Sequence, residues 1–355
     1  MKNRSECPYF GKCGGCTQQH MSMPAQLKGK QEKLLALFAD HGVKPAEILE
    51  PLDDAHWHYR HRARLAVKFV PKMGGALVGF REKGKPYLMD MHECPVLAES
   101  ISKLIDPLRG MINELSIKRR MPQIECSAGD GCLALTFRCL DPLFEEDREV
   151  LLAFGKEYNV NVFIQPGGPD SVEAIGEKSP LTYIVNDLKI TFGPIDFVQV
   201  NPGINSKLID KVIEFMGVKE GMRVADLFCG LGNFSLPLAK QGAWVQGYEI
   251  LDVQVERALE NAKANGLEER THFQTADLTH ESGVKAVNLH ECDAILLDPH
   301  RAGAEAIAKA MPKGCPRTIV YVSCNPETLA RDAGILVKEK GYKIKACLLY
   351  TSDAA

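Results

Sequence analysis

The chain has 355 residues, of which 45% are hydrophobic and 25% charged, an ordinary globular composition long enough for two domains and a large core without disulfide staples. A net charge of −3 argues against a histone-like coat on nucleic acid, and neither a signal-peptide core in MKNRSECPYF nor a run of 18 apolar residues is found. Twelve cysteines in such a chain point to metal binding or catalysis rather than to a secreted disulfide framework.

The chain opens with Cys7, Cys13 and Cys16 in a glycine-bearing C-x5-C-x2-C loop, and Cys94 follows in HECP. Four thiolates suffice for one iron–sulfur cluster or one tetrahedral zinc, and the spacing does not choose between them. The other cysteines are scattered and read as small core residues. Residues 24–40 predict a helix, with Pro24 near its start and apolar residues at helical spacing. Residues 58–90 alternate as strands, with turns at Gly74-Gly75 and at 82–85. This stretch carries Arg60, Arg62, Arg64, Lys68, Lys72, Arg81, Lys83 and Lys85, interleaved with Trp57, Tyr59, Phe69 and Phe80. On a strand, Arg60, Arg62 and Arg64 share one face. Such a row tracks phosphates while nearby rings stack on bases; a solvated strand face is the plainer alternative. The charge is uneven: residues 1–120 hold 20 basic and 13 acidic residues, and the remainder 23 and 33.

Residues 97–115 read as a helix, and 122–140 and 158–192 as short strands between turns. The first half is therefore α+β with antiparallel pairing. The segment FGPIDFVQVNPG (192–203) changes the style of the chain. It divides the molecule into expected domains 1–195 and 196–355, with helix 24–40 a candidate to pack on the second. From there strand and helix alternate. Strands are expected at 224–228, 244–249, 271–277, 294–298, 318–323 and 342–349, and helices at 233–241, 252–265 and 326–340. This is the pattern of a parallel, doubly wound sheet in an α/β fold.

The run DLFCGLGNF (226–234) follows a strand and opens a helix, with Gly230 and Gly232 for a tight turn. Ser235 stands where a dinucleotide fingerprint has its third glycine, so a pyrophosphate cradle does not fit. An adenosine without phosphates needs only the turn. Glu249 ends the next strand and suits both ribose hydroxyls, and Asp277 ends the third and suits adenine. These positions fit S-adenosylmethionine better than NAD. Cys324, in VYVSCNP, ends an apolar strand just before a helix, where a thiolate is favoured. Asp298, in LLDPHRAG, ends the neighbouring strand and suits a polar ring edge; Arg301 suits a phosphate. The plainer readings are a small buried Cys324 and a capping Asp298. A nucleophilic cysteine beside a methyl donor and a basic face points to uracil C5. That carbon attacks a methyl group only after a thiolate has added to C6. A base must then remove the C5 proton.

Together CPYFGKCGGCTQQH, YRHRARL, DFVQVNPGIN, DLFCGLGNFSLPLA, LLDPHRAGA and VYVSCNPETLARD resemble the RNA 5-methyluridine methyltransferases, from about Cys7 to Leu349. The likeness is greatest to the branch acting on bacterial 23S rRNA. It implies a Rossmann-like, S-adenosylmethionine-dependent methyltransferase sheet preceded by an α+β iron–sulfur and RNA-binding domain. It implies a [4Fe–4S] cluster on Cys7, Cys13, Cys16 and Cys94. It implies donor contacts from Gln199, Phe228, Asn233, Glu249, Asp277 and Asp298, with Asp298 also near the target uracil and Cys324 as nucleophile. Phe197 and Asn201 share the segment of Gln199. The partner it implies is 23S rRNA, and the expected form is a cytoplasmic monomer without membrane association. Two departures stand out. The family's small N-terminal β-barrel domain, called TRAM, is expected to be missing here. The family's terminal MFPHTxHxE pattern, whose glutamate is the base, is replaced by LLYTSDAA, so turnover is expected to be poor. The alternatives are a tRNA or other rRNA uracil as target, or an iron–sulfur RNA-binding protein that no longer catalyses. A cytosine-C5 enzyme is disfavoured by the motif around Cys324.

Overall fold

Helix α1 (Met23–Asp40) carries Pro24 in its first turn, where the missing N–H has no partner to lose, and buries Gln26, Leu34 and Phe38. The structure is a computed structural model and describes residues 7–351. A two-residue strand β1 (Glu47–Ile48) comes next. Strands β2 (Arg62–Val70), β3 (Gly75–Gly79), β4 (Gln123–Gly129), β5 (Cys132–Arg138), β6 (Asn161–Gln165) and β7 (Glu173–Ile175) then form one sheet. Their order is β3-β2-β4-β5-β6-β7. Every pair is antiparallel except β5 and β6. That parallel pair needs a crossover, which α4 (Glu145–Glu157) supplies.

The stretch expected as one helix over 97–115 is two, α2 (Glu99–Ser102) and α3 (Ile105–Glu114). Pro107 explains the break. In a continuous helix it would strip the Lys103 carbonyl of its donor, whereas in the first turn of α3 it removes nothing. Leu65, Val67, Ile101, Leu108, Ile124, Leu135 and Phe137 meet in the core of this half.

The hairpin β8 (Leu181–Val185) and β9 (Leu188–Phe192) turns at Asn186 and Asp187, both with positive φ (48° and 58°). Although it precedes residue 195, it packs in a different core, with α5 (Pro202–Met216) and the second sheet. That sheet contains β10 (Arg223–Leu227), β11 (Trp244–Glu249), β12 (Thr271–Thr275), β13 (Ala294–Leu297) and β14 (Thr318–Tyr321). The order is β12-β11-β10-β13-β14, parallel throughout. Helices α6 (Ser235–Lys240), α7 (Asp252–Ala264), α8 (Glu281–Val284), α9 (Glu305–Ala310) and α10 (Pro326–Lys338) complete it. Both faces are covered, so all four residues of β13 are buried. The doubly wound α/β pattern read from the sequence is present.

The expected last strand, 342–349, does not join this sheet. It contributes only β15 (Ala346–Cys347), which pairs parallel with β1. Its carbonyls are taken by residues after α1: Ala46 donates to Ile344, Glu47 to Lys345, Leu49 to Cys347 and Leu52 to Leu349. Leu34, Phe38 and Val43 pack with Ala330 and Ala333 of α10, so the first helix lies on the last. Among the described residues no helix is long and apolar enough to cross a membrane.

Candidate functional site

The carboxyl ends of β10, β11, β13 and β14 open on one mouth, as expected where strand order reverses in an open parallel sheet. At the end of β10 the backbone turns sharply. Phe228 has φ 70°, rare for a bulky side chain, and Gly230 and Gly232 follow at 54° and 88°. The Phe228 and Cys229 amides both donate to the Tyr248 carbonyl, which holds the turn against β11. Glu249 closes over it. Its Oε2 accepts from the Gly230 amide at 3.1 Å, and its Oε1 from Ile250 at 2.7 Å and Leu251 at 3.3 Å. A carboxylate has about four acceptor positions, so one remains for a ligand hydroxyl.

Asn233 is held by partners that sequence reasoning did not find. Its Oδ1 accepts from the Tyr183 hydroxyl at 3.0 Å and from Asn205 Nδ2 at 2.9 Å, while its Nδ2 donates back to Asn205 at 2.9 Å. Tyr183 lies on the β8–β9 hairpin, too remote in sequence for local spacing to reveal. Gln199 sits half-buried in the strap before α5. Asp196 anchors that strap: it accepts from the Gly193 amide at 2.6 Å and pairs with Arg257 at 2.9 Å. Asn201 caps α5 by accepting from the Ile204 amide at 3.1 Å. Asp277 forms its own turn, accepting from the Thr279 hydroxyl at 2.5 Å and amide at 2.9 Å, and these bonds hold its carboxyl below the usual range.

Two carboxyls stand close at the centre. Asp226 is fully buried; its Oδ2 accepts from Ser235 Oγ at 2.5 Å, and its Oδ1 has no hydrogen-bond partner among the described residues. Burial, with the negative charge of Glu249 adding to it, pushes Asp226 up to about 7. Asp298 extends β13 beside it and donates its amide to the Leu227 carbonyl at 3.3 Å. Desolvation and the neighbouring Asp226 push it up to about 7 as well, although part of its surface stays open at the mouth. The sequence drew attention to Asp226 as a motif residue; its raised pKa depends on packing and was not legible there.

Cys324 is exposed, immediately before the α10 N-cap. Asn325 caps α10 by accepting from the Glu327 amide at 3.1 Å, and its Nδ2 reaches across to the Arg301 carbonyl at 2.9 Å. More ties join α10 to the loop after Asp298. Arg331 donates to the Ala302 carbonyl at 2.9 Å and to Asp332 at 2.8 Å. Asp332, completely buried, also accepts from the Ala304 amide and the Tyr321 hydroxyl, each at 2.7 Å. A Cβ on Gly303 would stand 2.6 Å from Asp332, so the loop fits only as glycine there. The loop bearing Asp298 and the helix bearing Cys324 thus form one rigid unit. Glu327 points elsewhere, 3.9 Å from Lys33 of α1.

In the first half, Cys7, Cys13, Cys16 and Cys94 line one cavity of about 140 Å³ with Tyr9, Phe80 and Met91. The Gly15 amide donates to Cys13 Sγ at 3.3 Å. Burial raises the Cys13 and Cys94 thiols, and the proximity of the other cysteines raises them further. Among the described residues no group of three or more His, Cys, Asp or Glu side chains is arranged as a metal-ion site. The row of arginines is less open than its alternation suggests. Arg60 Nε donates to the Arg62 carbonyl at 3.1 Å. Arg62 is only 19% exposed, lies 3.3 Å from Glu125, and donates to the Ile195 carbonyl at 2.9 Å. Its guanidinium stands 5.8 Å from the centre of the exposed Phe197 ring. Arg64 also contacts Glu125, at 2.7 Å, yet remains 66% exposed.

Known proteins share this architecture. The family described as tRNA (Uracil-5-)-methyltransferase matches residues 22–352. A 23S rRNA (uracil(1939)-C(5))-methyltransferase RlmD of Chromobacterium violaceum is 43% identical over 98% of this chain and 70% of its own length. The RlmD of Bordetella bronchiseptica is 46% identical over 96% of this chain and 75% of its own. Among solved structures, the Pyrococcus abyssi tRNA (uracil-54, C5)-methyltransferase in complex with S-adenosyl-L-homocysteine superposes with a TM-score of 0.71. It is 26% identical, covering 92% of this chain and 80% of that one. With a family match over most of its length and relatives above 40% identity, the chain belongs to the tRNA (uracil-5-)-methyltransferase family.

Proposed function

We propose that this protein methylates uracil C5 in 23S rRNA, giving 5-methyluridine, with S-adenosylmethionine as donor and a covalent Cys324–C6 adduct as intermediate. The observation that carries this reading is the exposed Cys324, fixed by its own helix to the loop of Asp298 at the mouth of the parallel sheet. S-adenosylmethionine supplies an electrophilic methyl group on a sulfonium. The residues present suit it: two glycines at positive φ, one open acceptor position on Glu249, and a buried Asp226 oxygen without a partner. Gln199, Phe228, Asn233, Glu249, Asp277 and Asp298 are the proposed donor contacts.

The Cys324 thiolate adds to C6, and the electron pair of the C5–C6 bond moves toward the C4 carbonyl, making C5 an enolate carbon. Asp298, near neutrality in its pKa, hydrogen-bonds the polar edge of the uracil. C5 takes the methyl group as the donor's sulfonium S–CH3 bond breaks and S-adenosylhomocysteine leaves. A base then takes the C5 proton, and that electron pair forms the C5–C6 double bond as the C6–S bond breaks and the thiolate leaves. Glu327 is not proposed as that base; its carboxylate lies 3.9 Å from Lys33 of α1.

The proposed division assigns the first part of the chain, expected to run to residue 195, to RNA binding and 196–355 to methyl transfer, in a cytoplasmic monomer. Helix α1 and the β8–β9 hairpin, which pack on the second part, are counted with it. Within the first part, Cys7, Cys13, Cys16 and Cys94 are the proposed ligands of a [4Fe–4S] cluster. All-sulfur donors around one cavity suit it, and a cluster core spreads its ligands farther apart than a single ion does. The cationic core would offset the burial, and beyond it the mutual repulsion, that raise the Cys13 and Cys94 thiols. Protein prepared without oxygen should carry iron and sulfide; zinc without iron overturns the assignment.

Incubation with 5-fluorouridine-containing 23S rRNA fragments and labelled donor tests the reaction. A denaturant-stable protein–RNA band carrying the label supports it. A band formed only with tRNA moves the substrate to tRNA, as the names of the family and of the archaeal neighbour would suggest. No band with any uridine RNA, while donor still binds, overturns it.

A further inference from the structure

The basic stretch of the sequence is not used up by the methyl-transfer mouth. Lys12, Lys68, Arg81 and Lys83 line an open groove of about 1210 Å³, bounded by the cysteine loop, the β2–β3 hairpin and the turn at 81–90. All four are exposed. The acids in the groove are already committed, Glu82 to Lys85 at 2.8 Å and Asp90 to Arg109 at 2.8 Å. Arg81 donates to the Pro86 carbonyl at 2.6 Å, which shapes the turn and leaves its charge in place. The groove therefore keeps an uncompensated positive charge, and anions are the ligands it attracts.

Two observations narrow the anion. Tyr87 also lines the groove and is 66% exposed, an aromatic face open for stacking. The groove also shares a strand with the segment that carries Gln199. Arg62, at the start of β2, packs by Phe197, two residues from Gln199. Arg64 and Lys68 then point outward from the same side of β2, and Lys68 reaches the groove. From Arg62 to Lys68 the strand spans about 20 Å. A polyanion threaded along such a path with an unpaired base on Tyr87 is a single strand, because a duplex keeps its bases stacked inside.

We propose that this groove holds a single-stranded segment of the substrate RNA leading away from the target uridine, its phosphates on Lys12, Lys68 and Lys83 and one base on Tyr87. The proposal rests on the reading of the chain as an RNA methyltransferase, and the test separates the two. The full chain is titrated with a short oligoribonucleotide around one uridine and with a longer one extending on both sides. For the Lys12→Gln/Lys68→Gln/Lys83→Gln variant, affinity for the longer RNA should fall about 10–100-fold at low salt, and the slope of log K against log salt by about 2. Tyr87→Ala should lose about tenfold. Binding of S-adenosylhomocysteine and of the short RNA should not change, which also certifies the fold. Unchanged affinity and slope for the longer RNA overturn the proposal, as does a paired duplex that competes equally well. If the variants lose the longer RNA but the unmodified chain methylates no uridine, the groove stands and the methylation reading fails. If methylation proceeds and the variants bind normally, the groove fails alone.

Discussion

Along β2 of the first sheet exposure alternates, with Ala63, Leu65 and Val67 buried and Arg64 and Lys68 outside. Along β13 of the second sheet nothing alternates, because helices cover both faces. β2 can therefore present side chains along its outer side, and it presents cations there, although β3, β4 and β5 beside it are largely buried. β13 has no such side, and toward the carboxyl ends of its sheet lie Glu249, Asp298 and Cys324, with Asp226 buried beneath them. Binding energy spread over a face tolerates single losses; chemistry focused at an edge does not.

Substitutions sharpen or break that contrast. Cys324→Ala should lower methylation by about 10³-fold or more while donor affinity, measured by calorimetry, holds. A rate near that of the unmodified chain would remove the cysteine from the mechanism. Asp332→Asn keeps the shape and removes the buried charge that joins Arg331, Tyr321 and Ala304. It should cost about 3 kcal/mol in denaturant unfolding. At a temperature where it stays folded, adduct formation should slow about 10–100-fold through misplacement of Cys324 against Asp298. Tyr321→Phe should do the same more mildly, and normal adduct rates in both would show that the clamp serves stability alone.

A smaller effect concerns pH. Burial raises Asp226 and Asp298 from the ordinary 3.8 to about 7. Between those values the folded state binds more protons than the unfolded one, so stability falls as pH rises from about 4 to 7. Asp226→Asn should flatten that fall by an amount on the order of 2 kcal/mol, read from unfolding at pH 5 and pH 8. Parallel curves for the two proteins would place the buried charge elsewhere. The smallest effect is expected on the face. Arg64→Ala should reduce the salt slope of RNA binding by about 0.7 and leave methylation at saturating RNA unchanged. A large loss of activity there would erase the distinction between face and edge.

Much of the second sheet was legible because buried parallel strands are short apolar runs closed by glycine turns and helical spacing. DLFCGLGNF and AILLD need no tertiary information to be read. The limits of local pattern show in three places. Residues 342–349 alternate like a strand, but their hydrogen bonds go to residues 46–52, a pairing no local rule supplies. Arg62 looks like a phosphate ligand until Glu125, on a paired strand, takes it up. Asn233 was found through its motif, whereas Tyr183 and Asn205, which orient it, lie in separate elements. What was missed in each case is a partner distant in sequence.

The packing of α1 on α10 sets a schedule for the chain as it is made. Leu34 and Phe38 leave the ribosome early, but Ala330 and Ala333, which cover them, follow about 300 residues later. At about 5–20 residues per second the wait is on the order of 15–60 seconds. For that interval an amphipathic helix stands with its apolar stripe uncovered, a target for chaperones and proteases. Of the described helices, α10 is the one that covers the stripe of α1, so the exposure of Leu34 and Phe38 lasts until it is made.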